Sequence, residues 1–156
     1  MTTTNDLSPE TVVQAQLDAY NARDVDAILK TYAIDAQQFE FPGKLLATGH
    51  AEIRPRMAVR FAEPNLHARL LRREVIGHIV IDHEEVTRTF PEGTGRMEMI
   101  AIYEIKNGLI QSASVALGEK YWTPESGPVA LDICYWIFTN GYSLFGFPRS
   151  VLQKHT

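Results

Sequence analysis

LHARLLRREVIGHIVIDHEEVTRTFPEGTGRMEMIAIYEIKNGLIQSASVAL, residues 66–117, decides the fold. Four extended segments fill it, Leu66–Ile76, Ile79–Phe90, Arg96–Ile105 and Leu109–Leu117, rich in β-branched residues and alternating in polarity. Pro91–Gly95 and the Lys106-Asn107-Gly108 corner read as hairpin connections, the second with Asn-Gly chemistry suited to positive φ angles. Short consecutive connections predict an antiparallel meander. Its second segment holds a dense titratable run, Ile81-Asp82-His83-Glu84-Glu85. Period-two geometry sends Ile81, His83 and Glu85 to one face, and Asp82 and Glu84 to the other.

Upstream the period changes to helical. Ser8-Pro9 is a helix start, a hydroxyl cap followed by a ring that needs no donor in the first turn. Val13, Leu17 and Tyr20 then form an inward stripe that also carries Gln16, an amide that must find a partner in protein or ligand. Asn21–Arg23 break this helix, and Asp24 caps a shorter one with Val25, Ile28, Leu29 and Tyr32 on one face. Gln37–Phe41 reads as a short strand, ended by Pro42-Gly43 and followed by a return through Leu45-Leu46 to Thr48-Gly49. A third helix is expected over Ala51–Ala62, with Ile53, Met57 and Phe61 at four-residue steps and Pro55 near its first turn. Helices first and a curled, mainly antiparallel sheet afterwards make an α+β domain. The three helices lie in the sheet's concavity around a conical hollow lined by apolar side chains.

Residues 1–121 complete that domain, and 122–156 form a C-terminal extension rich in aromatics: Trp122, Tyr135, Trp136, Phe138, Tyr142, Phe145 and Phe147. A short helix is expected there over Val129–Phe138. So much apolar surface needs cover, so the extension is expected to close the hollow or join a dimer interface.

Composition narrows the function. With 45% apolar and 22% charged residues, a net charge of −4 and a pI near 5.7, the chain offers no basic field for nucleic acid or an anionic membrane. The single cysteine, Cys134, sits in an apolar run and fits a buried thiol in a reducing cytoplasm. Met1–Leu7 lacks the layout of a secretory signal, and Val129–Phe147 is too often interrupted by polar residues and glycine to span a bilayer. No metal-ligand spacing or phosphate-binding glycine motif is visible, so neither metal nor organic cofactor is expected.

Tyr20 with Asn21-Ala22-Arg23-Asp24, Tyr32-Ala33-Ile34-Asp35-Ala36, Thr48-Gly49 with its following helix, and Val115-Ala116-Leu117-Gly118-Glu119-Lys120 together resemble the SnoaL-like and ketosteroid-isomerase-like families of the NTF2-like superfamily. The likeness runs over roughly residues 8–121. It implies a cone-shaped fold, a hydrophobic small-molecule ligand and a homodimer paired through convex sheet faces. Aligning Asn21, Asp24, Asp35 and Gly43 without gaps puts Glu40 at the family's proton-shuttling carboxylate, and the neighbouring Phe39, Phe41 and Pro42 give it an apolar setting that raises a carboxyl pKa. Asp35 is the runner-up carboxylate, better suited to a turn.

Gln16 stands where the isomerases carry an oxyanion-holding tyrosine, and Ala101 or Ile102 where they carry a protonated aspartate. Losing an oxyanion donor typically costs about 10²–10³ in rate, so 3-oxosteroid isomerisation by that machinery is not implied. The family alignment turns the His83 set inwards, making His83 the acid–base partner of Glu40; with the opposite parity Asp82 takes its place on the wall. Tyr103 reads as a phenolic donor or as a core tyrosine. Tyr20, Tyr32, Met57 and Phe61 are expected to line the pocket with Gln16, and Asp82, His67 at the rim and Trp122 form a second tier. The expected function is acid–base catalysis on a steroid, polyketide or terpenoid type of molecule, as an isomerase or cyclase. The alternatives are an epoxide-opening enzyme and a non-catalytic binding or assembly module.

Overall fold

A computed structural model of the chain describes residues 7–122. The expected helix at Val129–Phe138 and its lid or interface role lie outside the described residues. Ser8 starts α1 (Pro9–Ala22), its hydroxyl accepting the Thr11 N–H at 3.3 Å. Arg23 ends it in the left-handed region, with φ 57°. Asp24 caps α2 (Val25–Thr31) by accepting from the Ala27 N–H at 2.9 Å.

The chain turns directly from α2 into β1 (Tyr32–Glu40), which begins at Tyr32 rather than at Gln37 as expected. Alternation is broken there because the register of β1 against its neighbour slips between Tyr32 and Gln37, so Ile34 and Asp35 are both exposed. β2 (Lys44–Thr48) folds back on β1 and leads into α3 (Gly49–Phe61). Because α3 begins earlier than expected, Pro55 falls in its second turn. Then follow β3 (His67–Ile76), β4 (Ile79–Phe90), β5 (Gly93–Lys106) and β6 (Leu109–Tyr121).

The six strands form one sheet in the order β2-β1-β6-β5-β4-β3. Every pairing is antiparallel except β1 with β6, which is parallel. Asn107 and Gly108, at φ 51° and 71°, make the tight β5–β6 turn that their chemistry predicts. The β4–β5 turn is shorter than expected, since Phe90 pairs with Gly93 and only Pro91 and Glu92 are left to turn the chain.

All three helices pack against the sheet. Val13 of α1, Ile28 of α2, Ile53 of α3 and Ile110 of β6 are each 0% exposed, and each contributes about 1.5–3 kcal/mol by leaving water. The end of α1 is pinned to β3 by Asn21, whose amide donates to the Ala68 carbonyl and accepts from the Ala68 N–H, both at 2.8 Å. Among the described residues no helix is long and apolar enough to cross a membrane.

Candidate functional site

α1, α3 and the inner faces of β1, β4, β5 and β6 enclose a cavity of about 210 Å³. Its wall is mostly apolar, with Leu17, Met57, Val86, Met97, Met99 and Val115 among the contributors. Gln16, Tyr20, Tyr32, Met57 and Tyr103, all expected on the wall, line it, as does Glu40. Phe61 does not. It is buried behind Tyr20, edge-on to that ring at 5.5 Å, because its place at the end of α3 takes it past the cavity.

β4 presents the face opposite to the one the family alignment suggested. Asp82 and Glu84 point inwards, 0% and 2% exposed, while His83 is half-exposed on the outer face and meets the Glu98 carboxylate at 2.8 Å. The turn explains the reversal. A hairpin closed between Phe90 and Arg96 would set His83 opposite Tyr103, on the inner face. Closure between Phe90 and Gly93 sets Val80 opposite Tyr103 and Asp82 opposite Ala101.

Asp82 is inward without reaching the cavity. Both its oxygens accept from Arg73 at 2.7 Å, from Nε and Nη2, and Arg73 Nη1 continues to Gln14 Oε1 on α1 at 2.9 Å. His67 is exposed at the start of β3, and Trp122 leans on Phe90 at 5.9 Å; neither lines the cavity.

Glu84 is the residue that sequence reasoning passed over. It lines the cavity, and its Oε1 is buried without a hydrogen-bond partner among the described residues. An unsatisfied buried carboxyl is rare in native proteins and marks chemistry or a missing partner. Burial, and then the neighbouring Asp82 charge, push its pKa up from 4.5 to about 7, with Arg73 pulling the other way. Near neutral pH the protonated and ionised forms are then both accessible, and the group can give or take a proton.

Around it stand neutral polar groups. The Tyr103 hydroxyl donates to Gln16 Oε1 at 3.3 Å. Burial pushes the Tyr32 hydroxyl up to about 12, with the amides of Gln38 and Gln16 opposing the rise, and burial likewise raises Tyr20 and Tyr103. These phenols stay protonated and serve as hydrogen-bond donors.

The more exposed end carries charge. Glu40 lies there, half-buried, with Arg56, Arg60 and Arg88. Glu63 accepts from Arg60 Nη1 at 3.3 Å and from Arg88 Nη2 and Nε at 2.5 and 3.2 Å. Arg56 is held below its usual pKa by burial and by the Arg60 charge one helical turn away, against the pull of Glu40. Arg56 and Arg60 belong to the crowd of arginines between Arg54 and Arg73, which from sequence reads as a solvated face, and no arginine was assigned to the cavity. The visible signal is their spacing: Arg56 and Arg60 flank the Ile53, Met57, Phe61 stripe four residues apart. Among the described residues no group of His, Cys, Asp or Glu is placed to hold a metal ion.

The fold is found elsewhere. A cystatin-fold protein from Novosphingobium aromaticivorans superposes with a TM-score of 0.65 at 24% identity, over 70% of this chain and 97% of that one. SalBIII, an epoxide hydrolase/cyclase-like enzyme in pyran ring formation in the polyether salinomycin, gives 0.65 at 16% identity, over 74% and 94%. A ketosteroid isomerase from Kribbella flavida, so named provisionally, gives 0.57 at 18% identity, over 79% and 86%. At such identities the likeness establishes the fold alone. No curated protein matches the chain. The sequence pattern of the SnoaL-like domain matches residues 13–113, spanning both the helices and the cavity-forming strands, and the chain belongs to the SnoaL-like family.

Proposed function

We propose that the chain is an acid–base enzyme acting on a small, largely apolar molecule, with Glu84 as the group that exchanges a proton with it deep in the cavity. The observation that carries this reading is the partnerless Glu84 oxygen on the wall of an apolar cavity. A buried carboxyl oxygen without a partner destabilises the fold, and a role in the reaction accounts for that cost. Glu40, at the other end of the cavity, is the second carboxyl. It takes the proton that the substrate loses, while protonated Glu84 gives one to the oxygen where negative charge develops, helped by a hydrogen bond from the amide N–H of Gln16, whose carbonyl Tyr103 holds in place.

Isomerisation, aldol-type cyclisation and epoxide opening all fit this pair, since each removes one proton and supplies another. The likeness to SalBIII, an epoxide hydrolase/cyclase-like enzyme, favours the ring-forming and epoxide-opening members of that group. A cavity of about 210 Å³ lies below the usual range of about 300–1,000 Å³ for drug-sized ligands, which favours a molecule of one or two rings over a steroid. The test is a thermal-shift screen of epoxides, enones and cyclic ketones of that size, followed by turnover of the hits. Glu84→Gln keeps the shape and removes the acid. Turnover falling at least about a hundredfold with ligand affinity kept supports the reading; unchanged turnover rejects it.

A further inference from the structure

Three guanidinium groups share the open end of the cavity, and they are not equivalent. Arg60 and Arg88 both converge on Glu63, whose side chain is only 17% exposed, and that carboxylate also accepts the Thr89 N–H at 3.2 Å. The two cations are thus already committed to a protein anion. Arg56, half-buried on the same wall, has no hydrogen-bond or ion-pair partner among the described residues. Its charge is opposed by burial and by Arg60, and Glu40 is the counter-charge acting on it from the wall. Arg56, Arg60 and Arg88 against Glu40 and Glu63 leave the opening with a formal excess of one positive charge.

We propose that the molecule taken by this cavity carries a single carboxylate, held at the cavity's open end by the Arg56 guanidinium while its apolar body lies against Leu17, Met57, Val86, Met97 and Val115. The inference rests on the cavity being the substrate site, as in the preceding reading, and adds the substrate's class. A planar guanidinium with its donors free matches a carboxylate in a two-pronged hydrogen bond. One negative charge balances the opening. A dianion such as a phosphate monoester would exceed it and crowd Glu40. The ligand is then an organic acid whose carboxylate marks the outer end and whose reacting carbons lie further in, between Glu40 and Glu84.

The experiment compares 2-naphthoate with 2-naphthamide, a neutral molecule of the same outline, and with 2-naphthyl phosphate, with benzoate and benzamide as a smaller pair. Binding to the full chain is read by calorimetry and thermal shift. Either naphthoate or benzoate should bind at least about tenfold more tightly than its amide, and the phosphate more weakly than naphthoate. Arg56→Met should erase the acid's advantage and leave the amide's affinity where it was, while Arg56→Lys should retain part of it. Because Arg56 lies four residues from a like charge, Arg56→Met should melt no lower than the parent, so a folding failure does not mask the result. Equal binding of acid and amide, binding of none of the five compounds, equal loss of both by Arg56→Met, or a selective loss in Arg60→Met instead would each overturn the assignment. No turnover is measured here, so these outcomes are independent of whether Glu84→Gln abolishes catalysis.

Discussion

Two carboxyls on the inner face of β4 meet opposite fates. Asp82 is fully buried and satisfied by Arg73; Glu84, two residues along, is buried with one oxygen that finds no partner among the described residues. The difference has consequences for stability that need no substrate to measure. The folded pKa of Glu84 lies above its unfolded value, so over the window from 4.5 to about 7 the native state binds more protons than the unfolded one. Its contribution is then most favourable below pH 4.5 and is lost as pH rises through 7. Glu84→Gln removes that loss. By denaturant unfolding the variant should gain on the parent between pH 5 and pH 8, by roughly 2–3 kcal/mol at the upper end. A difference that stays flat across that range would mean the carboxyl is ionised throughout. Asp82 behaves the other way. Arg73→Met strands a buried charge and should cost about 3–5 kcal/mol, whereas the joint change Arg73→Met with Asp82→Leu should recover most of it. If the double variant is no more stable than the single one, the pair contributes something besides mutual compensation.

At the scale of elements, the strands announced themselves and the turn between two of them did not. The four meander strands were all found, and β4 was placed residue for residue, because β4 and β5 bury one face and wet the other. The helix starts at Ser8 and Asp24 were equally plain, each being a side chain that accepts a first-turn N–H. Glu84 was hidden by a turn of uncertain length: Pro91–Gly95 looks like loop, and only the pairing of Gly93 with Phe90 shows which face of β4 is inner. The arginine group was hidden for another reason, since α3 and β4 bring it together from segments that nothing local connects. The β2–α3 junction holds Arg56 and Met57 in place, and glycine matters there. Gly49 has φ +71°, and a Cβ on it would sit 3.0 Å from the Ile34 carbonyl oxygen. Gly49→Ala should therefore cost upwards of about 1 kcal/mol, seen as a lower denaturation midpoint at unchanged slope. Gly43 has open space around it and no positive φ, so Gly43→Ala should be neutral or stabilise by up to about 1 kcal/mol. Equal effects at the two positions would remove the strain argument.

For the molecule as a whole, the sheet is local on one side and distant on the other. β3 to β6 are joined by tight hairpins, while β1 reaches β6 only after the intervening chain has folded back to lie parallel to it. Closing that long loop costs entropy before any contact repays it, so the meander should form early and the β1–β2 edge late. Val80, 0% exposed between β3 and β5, and Ala47, 2% exposed in β2, sample the two regions. Val80→Ala should slow folding with a φ-value above about 0.5, and Ala47→Gly should act mainly on the unfolding rate with a φ-value below about 0.3. Stopped-flow chevrons of the two variants decide it, and a reversed ranking would mean that β1 is part of the nucleus. The order bears on function because β1 carries Tyr32, Gln38 and Glu40, one wall of the cavity, whereas Glu84, Met99 and Tyr103 belong to the meander. An edge that forms last should also be the first to open, so amide hydrogen exchange should run faster in β1 and β2 than in the β4 strand that holds Glu84.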